Sequence, residues 1–497
     1  MERYIKLRNG GDGRAYRLLA STVNTTGNIQ ANWMEGGMNT AVGTNVDPVA
    51  NHGTQITGAG GNTNGFDKTL SNAPSLYSVG NATTPTYTAV GSTSGTMNAK
   101  TGYFLFVRGD RNQDMTIPSG PNMPTSATTL RTTGTLLQGT QTSFTNPLLP
   151  GAGVLNLVTN PYPSAINWAQ VYAASTDISD SYTFWDANFG TRGGFVTVNT
   201  AGTASSGGAT QYIQSGQAFF VQSINGNTPT VSIQEGHKAS SNNNEVFLVE
   251  PVQPAPVESF RTELYFTEAN GYRRIADGAI AVYNKNYSAA VDEKDAMEIN
   301  NWDENIAIER EKNHLAIESR PVITKSDDLP LFMNNMKERT YEFEFTPAAF
   351  TNTKLKAELI DNFLKTRTLL SVTVPTAVSF TVTADAASKA TDRFKVVFGT
   401  DAKPQPEIST IKAGITVYPN PMPGNSFKVD MNNLAKGNYL LSLYDNSGVL
   451  VYTEQFVHDG SLATRTILLK KAVTPGVYQL QLSNEKGFKV SQKIFKN

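Results

Sequence analysis

The chain has 497 residues, a net charge of −1 and no cysteine. This length allows about two to four domains, and the lack of cysteine excludes disulfides and thiolate metal sites. The balanced charge argues against generic nucleic-acid binding, and no run approaches the roughly 18 apolar residues of a transmembrane helix. The charge is unevenly spread, with net values of −1, −5 and +5 for residues 1–250, 251–411 and 412–497.

The first half of the chain is poor in charge and rich in Gly, Asn, Thr and Ser. Thr and aromatic residues favour strands, whereas Gly and Asn favour turns. Residues 1–250 are therefore predicted to form many short strands joined by long polar loops. The apolar runs 102–107 and 216–221 are predicted core strands, and the Gly/Asn/Thr-rich stretch 36–65 is a predicted long loop.

The densest aromatic stretch lies at residues 181–189. Exposed rings at Tyr182, Phe184 and Trp185 would stack on sugars, so these three residues are candidate ligand-binding residues. Alternation places Tyr182 and Phe184 on one face of a strand and Trp185 on the other. The two faces cannot both be exposed to solvent. The pattern favours core packing over a sugar-binding platform.

The tripeptide Arg108-Gly109-Asp110 has the sequence of an integrin-binding motif. It follows an apolar strand, and a turn at the end of that strand, with an Arg–Asp surface pair, explains it more simply.

Two proline-rich linkers divide the chain. They lie at residues 251–257 and 401–412 and are predicted to be extended. The predicted domains are a β module at 1–250, a jelly-roll-like β-sandwich at 258–400 and a terminal domain at 413–497. Because prolines cannot join a sheet ladder, the linkers are the predicted sites of proteolysis.

The middle region also has the pattern of strands. Residues 341–345 alternate strictly, and residues 370–374 and 378–382 flank Pro375 as a predicted hairpin. Residues 393–398 are the predicted closing strand of this region.

Acidic residues of the middle region are weak candidates for a calcium site. Asp277, Asp292 and Asp295, with Asp303 nearby, offer the hard oxygen ligands that Ca²⁺ prefers, but no Asp-x-Asp-x-Asp-Gly loop is present. A solvated acidic face is the alternative. Residues 292–301 are a predicted short helix with Asp292 as its N-cap. No other metal or cofactor is predicted.

Catalytic motifs are missing from the sequence. The four histidines are scattered, and there is no zinc-protease motif, nucleophile elbow or phosphate-binding loop. The chain is therefore predicted not to be an enzyme. It does contain many carboxylates, so the residue types that a glycosidase needs are present.

The C-terminal region contains a duplicated pattern. Residues 437–443 and 476–482 both read Gly-x-Tyr-x-Leu-x-Leu, and a turn glycine follows each at the same offset. Alternation predicts half-buried strands, and glycine permits the positive φ of a tight turn. The two units are therefore predicted hairpins. Upstream, residues 417–421 read Val-Tyr-Pro-Asn-Pro, in which the prolines suit a sheet edge.

Together these C-terminal motifs resemble the type A sorting domain of type IX secretion cargo in Bacteroidota. The resemblance covers about the last sixth of the chain and implies an immunoglobulin-like β-sandwich. The residues that it implies as the sorting signal are Tyr418, Pro419, Asn420, Pro421, Gly437, Tyr439, Gly448, Gly476, Tyr478, Gly487, Lys493 and Lys496.

The resemblance also implies a route and partners. The expected partners are an outer-membrane translocon, a β-barrel shuttle protein and a sortase-like protease that cleaves near residues 402–413. Anionic lipopolysaccharide is a further partner that the basic last domain would favour, with solvated lysines as the alternative. The expected location is the outer cell surface or the medium. Residues 1–8 lack the apolar stretch of a signal peptide, so the chain is expected to be a mature form or a C-terminal fragment.

Looser similarities extend upstream. Residues 14–19, 106–111, 160–163 and 215–221 resemble a β module of large Bacteroidota surface proteins, and residues 258–400 resemble the jelly-roll-like module that often precedes this sorting domain. The predicted fold class is all-β, with tandem sandwich modules before an immunoglobulin-like domain. The predicted function is that of an adhesin-like or structural surface protein. Carbohydrate-binding modules of a secreted enzyme or uptake protein are the alternative.

Overall fold

Alternating apolar and polar residues fold into strands over most of the chain, and the all-β prediction is confirmed: 46% of the residues are in strands and 4% are helical. The computed structural model describes residues 1–8, 14–43, 48–116, 125–239, 257–269, 271–352, 354–399, 414–418, 420, 422, 424–432, 434, 437–458, 463–469, 473–485 and 487–496. No helix within these ranges is long and apolar enough to cross a membrane.

The chain divides into two compact units, Met1–Leu364 with Leu369–Ala402, and Lys365–Thr368 with Lys403–Asn497. Residues 366–368 of the short segment lie within a strand that belongs to the large sheet of the first unit, and the segment is described there.

Residues 1–239 form the first β region. Its strands are β1 (Glu2–Ile5), β2 (Ala15–Ala20), β3 (Asn24–Thr25), β4 (Leu76–Gly80), β5 (Thr86–Ala89), β6 (Gly102–Val107), β7 (Thr128–Arg131), β8 (Gly134–Thr135), β9 (Leu155–Thr159), β10 (Ile166–Asn167), β11 (Ile178–Asp186), β12 (Gly194–Asn199), β13 (Tyr212–Ile213) and β14 (Ala218–Ser223). A short helix, α1, spans Trp168–Ala173, and 3₁₀ turns span Gly61–Asn64 and Glu235–His237.

Two four-stranded antiparallel sheets dominate this region, in the orders β2-β6-β4-β5 and β12-β11-β14-β9. They share an apolar core to which Leu18 and Phe104 contribute from one sheet, and Trp185 and Phe220 from the other. The long-loop prediction for residues 36–65 is confirmed for its described part, where only the Gly61–Asn64 turn is regular.

Residues 257–399 form the second β region of the first unit. Its strands are β15 (Ser259–Thr267), β16 (Arg273–Tyr283), β17 (Ala296–Met297), β18 (Asn305–Arg310), β19 (Asn313–Arg320), β20 (Ser326–Asn334), β21 (Thr340–Ala348), β22 (Lys356–Asp361), β23 (Thr366–Leu370), β24 (Thr376–Thr381) and β25 (Phe394–Gly399). A 3₁₀ turn spans Ala386–Lys389. The sheet order is β23-β22-β25-β20-β18-β19-β16-β15-β21-β24, with β17 beside β19.

Two predictions for this region are wrong. No helix forms at 292–301, because the Asp295 carboxylate accepts hydrogen bonds from Asp292 N at 2.8 Å and Ser319 N at 2.7 Å, and Ala296 pairs with β19. The segments around Pro375 are not a hairpin, because β23 pairs with β22 and β24 with β21. The strand predicted at 393–398 exists as β25, the last strand of this region in sequence, and in the sheet it lies between β22 and β20.

The loop Asn301-Trp302-Asp303 of the second region packs against the first. Asn301 Oδ1 accepts a hydrogen bond of 2.6 Å from Phe195 N, and Asp303 accepts one of 3.1 Å from Arg192 Nη2. Elsewhere along the junction the Glu263 carboxylate accepts a 2.9 Å hydrogen bond from the Ser206 hydroxyl. The two β regions therefore share buried polar contacts within one compact unit. The predicted domain division at residues 251–257 stays a prediction about protease sensitivity, and residues 251–256 of that segment lie outside the described residues.

The C-terminal unit is a two-sheet sandwich. Its strands are β26 (Gly414–Tyr418), β27 (Ser426–Asn432), β28 (Gly437–Tyr444), β29 (Leu450–His458), β30 (Ala463–Leu468), β31 (Gly476–Asn484) and β32 (Lys489–Lys496). The sheets have the orders β26-β27-β30 and β29-β28-β31-β32, and a shared core that includes Phe427, Leu441, Leu480 and Ile494 lies between them.

Candidate docking surface of the C-terminal unit

The two duplicated hairpins turn with the same chemistry. Asp445 N donates to Val449 O at 3.0 Å, and Asn484 N donates to Phe488 O at 3.0 Å. Both turn glycines have the positive φ that the sequence predicts, 79° at Gly448 and 84° at Gly487. The side chain that opens each turn accepts further backbone hydrogen bonds, such as Phe488 N to Asn484 Oδ1 at 2.9 Å. An Asp or Asn three residues before the turn glycine is a signal that the sequence analysis did not use.

The repeated tyrosines belong to the core of the sandwich. Tyr439 is 2% exposed and Tyr478 is 5% exposed. The Tyr478 hydroxyl donates to Thr474 O at 2.7 Å, and the Tyr439 ring stacks on Phe456 with centroids 6.1 Å apart. These residues hold the strands together and do not present their rings to a partner. The glycines that precede them, Gly437 and Gly476, begin β28 and β31.

Asn420 joins the two ends of the unit. Its Nδ2 donates to Lys493 O at 2.9 Å, and its Oδ1 accepts from Phe495 N at 2.7 Å. Met422 N then donates to Phe495 O at 2.7 Å, and Met422 itself is fully buried. An amide side chain thus provides the acceptor and donor that a neighbouring strand would provide. We call these contacts of Asn420 and Met422 with β32 the tail clamp.

The remaining predicted sorting residues are placed as follows. Tyr418 ends β26, and Pro419 and Pro421 lie outside the described residues. Lys493 is exposed and Lys496 is half-buried, both on β32. The structure therefore brings Asn420 to the tail strand that carries both lysines, although about 73 residues separate Asn420 from Lys493 in sequence.

The sheet β29-β28-β31-β32 has one core face and one outer face. Within its strands the outer face carries no acidic side chain, because Glu454 lies opposite the core residue Leu441 on the inner face. Lys489 and Lys493 supply its charges, beside the exposed ring of Phe495. The outer-face residues are Asn438, Leu440, Ser442, Tyr444, Leu450, Val451, Thr453, Gln455, Val457, Val477, Gln479, Gln481, Ser483, Lys489, Ser491, Lys493 and Phe495.

Glu454 is instead neutralised within the sandwich. Its carboxylate pairs with the Arg465 guanidinium, whose Nε lies 3.2 Å away, and accepts the Tyr452 hydroxyl at 2.9 Å. The hydrogen bond from Arg465 lowers the pKa of Glu454. The negative charge is thus bound to a cation on the inner side of the sheet, and the outer face keeps its positive sign.

The candidate sugar-binding aromatics do not form a platform. Tyr182 and Phe184 lie in one apolar core and Trp185 in another, and each is at most 5% exposed. The Tyr182 hydroxyl donates to Thr210 O at 2.6 Å. These residues pack in the core instead, because both faces of β11 are covered by apolar side chains.

The candidate calcium ligands are used for other contacts. Asp277 accepts hydrogen bonds from Gly278 N at 2.9 Å and from Ile306 N at 2.8 Å, whereas Asp292 accepts from Lys294 N at 2.9 Å. Asp303 binds Arg192 and Lys337. The described part of the chain contains no cluster of three or more metal-ligating side chains, so these carboxylates are not assembled as a calcium site.

The Arg108-Gly109-Asp110 motif is buried. Arg108 and Asp110 are each 4% exposed, and Asp110 accepts backbone hydrogen bonds from Asn51 and Asn112. The expectation of a surface Arg–Asp pair is wrong, as both side chains face inward. The next residue, Arg111, forms a bidentate ion pair with Asp67 at 2.9 and 3.0 Å.

A partly exposed aromatic rim lies where the two β regions of the first unit meet, and the sequence analysis missed it. Trp302 is 40% exposed, and its ring contacts Tyr16 and Tyr87 edge-on at centroid distances of 5.1 and 5.8 Å. The Arg192 guanidinium lies 5.4 Å from the Trp302 ring. Tyr77, also half-buried, packs beside Tyr16 at 6.4 Å. We call Tyr16, Tyr77, Tyr87 and Trp302 the aromatic rim.

Comparison with known families identifies the C-terminal unit. A family model described as a secretion system C-terminal sorting domain matches residues 416–497. The chain is therefore cargo of the type IX secretion system, and it is secreted to the cell surface. Residues 62–398 match a second family model, described as a domain of unknown function, and the chain belongs to that family, DUF8693.

Other comparisons add little. No curated protein matches the chain significantly. Two crystal structures of Parabacteroides merdae β-glucuronidase each align with 33% of the chain, at 12% and 10% identity and a TM-score of 0.13. The chain spans 29% and 28% of the length of those enzymes. At that TM-score the likeness carries no argument about activity.

Proposed function

We propose that the chain is an adhesin-like or structural surface protein without catalysis of its own, delivered by its C-terminal unit. The interlocked construction of the first unit supports this proposal. Asn301, Trp302, Asp303 and Glu263 tie its two β regions together through buried polar and aromatic contacts. A body that transmits load or displays a binding surface benefits from such a rigid junction, since relative motion of its parts would need those contacts to break.

An adhesion assay on living cells tests the surface role. Cells that lack the gene are expected to bind poorly to their neighbours or to a coated surface, and a plasmid copy should restore binding. A broad hydrolase screen on the purified chain is the counter-test. Unchanged adhesion of the deletion strain, together with turnover of any substrate in the screen, would contradict the proposal.

The delivery route has its own partners. The proposed order is the outer-membrane translocon, then a β-barrel shuttle, then a sortase-like protease that cuts near residues 402–413. Fusing residues 413–497 to an inert exported reporter should bring that reporter to the cell surface. A reporter that stays in the periplasm of a cell with a working type IX system would defeat this order.

The second candidate function is carbohydrate binding, and the aromatic rim favours it. Half-exposed tyrosine and tryptophan rings provide apolar faces for sugar C–H groups, and tyrosine hydroxyls provide hydrogen bonds. A glycan array on the purified chain tests this function. Trp302→Ala should abolish any binding found, whereas Tyr4→Ala, which removes an exposed ring outside the rim, should leave it unchanged.

A further inference from the structure

The last strand of the C-terminal unit lies at the edge of its sheet. β32 pairs with β31 along its whole length, from Gly476 opposite Lys496 to Ser483 opposite Lys489. No other described strand lies on its far side in the sheet order. Successive residues of a strand direct their backbone groups to alternate sides, so half of the N–H and C=O groups of β32 face outward.

The contacts of the tail clamp identify which N–H and C=O groups of β32 face outward. Asn420 and Met422 bind the outward groups of Lys493 and Phe495. By alternation, the other outward groups of β32 belong to Ser491 and Lys489 and include the N–H of Lys493. Among the described residues, the clamp closes the end of the edge near Phe495, and no other described strand is hydrogen-bonded to the outward groups of Lys489, Ser491 and Lys493. Strand β26 of the other sheet packs close to β32 without pairing with it. We call Lys489–Lys493 the open stretch.

The open stretch has a defined chemistry. It is five residues long, or about 17 Å of extended backbone. The side chains of Lys489, Ser491 and Lys493 are all exposed on the outer face, which carries no acidic residue within its strands. Open edges invite strand pairing, and lysines on them discourage pairing with uncharged or basic strands. A strand that brings carboxylates would be favoured instead.

We propose that the protein that receives this cargo adds a β-strand of its own along Lys489–Lys493 and places carboxylates opposite Lys489 and Lys493. The inference rests on type IX export and adds to it the mode of recognition. The partner is a protein strand, because the open feature is a row of backbone donors and acceptors, and strand addition satisfies such a row directly. In this arrangement the tail clamp sets the register by ending the available edge at Lys493.

Ser491→Pro tests strand addition without removing a ladder bond. The N–H of Ser491 faces away from β31, so proline deletes only an outward donor, and edge strands tolerate proline. The double variant Lys489→Glu/Lys493→Glu tests the charge requirement. Lys428→Glu is the matched control, because Lys428 is an exposed lysine on β27 in the other sheet. The full chain is expressed in cells with and without a working type IX system, and surface and periplasmic amounts are measured.

Both Ser491→Pro and the double variant should lower surface display at least tenfold and accumulate in the periplasm, whereas Lys428→Glu should be displayed normally. Circular dichroism of each purified chain should show an unchanged melting curve. Normal display of folded Ser491→Pro would overturn the inference. If the double variant fails while Ser491→Pro succeeds, an anionic lipopolysaccharide surface rather than a strand is the partner. Wild-type display in cells without the type IX system would instead refute the export route itself.

Discussion

The two compact units place their charged side chains differently. The first unit buries ion pairs: Arg111–Asp67, Arg274–Glu268 and Arg393–Asp361 have arginine side chains that are at most 1% exposed. In the C-terminal unit the pair Arg465–Glu454 is 38% and 27% exposed. A buried pair makes one packing arrangement strongly preferred, because any other arrangement leaves a charge without its partner. Among the described residues of the C-terminal unit, no ion pair is buried to that degree.

Breaking one buried pair should have the largest effect. Arg111→Met leaves the Asp67 carboxylate inside the protein without its cation, and we expect it to lower the unfolding free energy by about 3–5 kcal/mol. The loop around residues 37–67 should loosen first, because Asp67 also accepts hydrogen bonds from Asn39 N and Ile56 N. Urea unfolding followed by tryptophan fluorescence measures this effect, since Trp33, Trp168, Trp185 and Trp302 all lie in the first unit.

The corresponding change in the C-terminal unit is the control. Arg465→Met removes a cation from a partly exposed pair, and such pairs contribute about 0–1 kcal/mol. Circular dichroism of the whole chain should show little change. A loss as large as that of Arg111→Met would remove the contrast between the units.

The junction within the first unit should give the next largest effect. Trp302→Ala removes a ring that contacts Tyr16, Phe104 and Trp185, and because the ring is partly exposed we expect a loss of about 2 kcal/mol. A protease site inserted after residue 250 allows a direct measurement. The two halves of the cut wild-type chain should co-elute from a sizing column, and Trp302→Ala should separate them at lower urea concentration.

Trp302→Phe retains an aromatic ring and is the matched control, with co-elution close to that of wild type. Separation of the wild-type halves directly after cleavage would show that the two β regions are independent, as the linker at 251–257 suggests on its own. In that case the interlocked body would not support the proposed function.

Local patterns account for what the sequence predicts correctly. The all-β class follows from short alternating runs, and the turns at Gly448 and Gly487 follow from glycine beside polar residues. Both features depend on residues within a few positions of each other. The strand at 341–345 is predicted correctly for the same reason, since its residues alternate between core and surface along β21.

Contacts between distant residues account for what the sequence does not predict. The tail clamp joins residues 73 to 75 positions apart, and no local pattern marks Asn420 as the neighbour of β32. The helix expected at 292–301 fails because the Asp295 carboxylate and β19 bind that segment. Tertiary hydrogen bonds override a weak helix preference.

The tail clamp should give a smaller and local effect. Asn420→Ala removes two hydrogen bonds to β32, each contributing about 1 kcal/mol, and the Phe495 amide should exchange with solvent about tenfold faster or more. Hydrogen exchange followed by mass spectrometry of the C-terminal peptide measures this change. Asn420→Asp keeps an oxygen that accepts the hydrogen bond from Phe495 N. Its exchange rate at the Phe495 amide should therefore lie between those of wild type and Asn420→Ala. Equal exchange in all three chains would mean that Met422 alone holds the strand.

The last effect concerns pH, and it belongs to the first unit because buried carboxyls titrate there. Burial raises the pKa of Asp277 from 3.8 to about 8, with a further rise from Glu304 and opposing hydrogen bonds from Ile306 N and Gly278 N. Burial and the charge of Asp277 likewise raise the pKa of Glu298. Between about pH 4 and pH 8 the folded chain holds protons that the unfolded chain has released, so its stability falls as pH rises through this window.

Glu298→Gln removes one titrating carboxyl whose pKa burial and the charge of Asp277 raise, so the decline should be shallower. Urea unfolding at pH 5 and pH 8 measures the slope, and Glu311→Gln, an exposed carboxylate in the turn between β18 and β19, should leave it unchanged. If wild type is as stable at pH 8 as at pH 5, Asp277 is ionised in the folded protein, and its two backbone hydrogen bonds outweigh the cost of burying its charge.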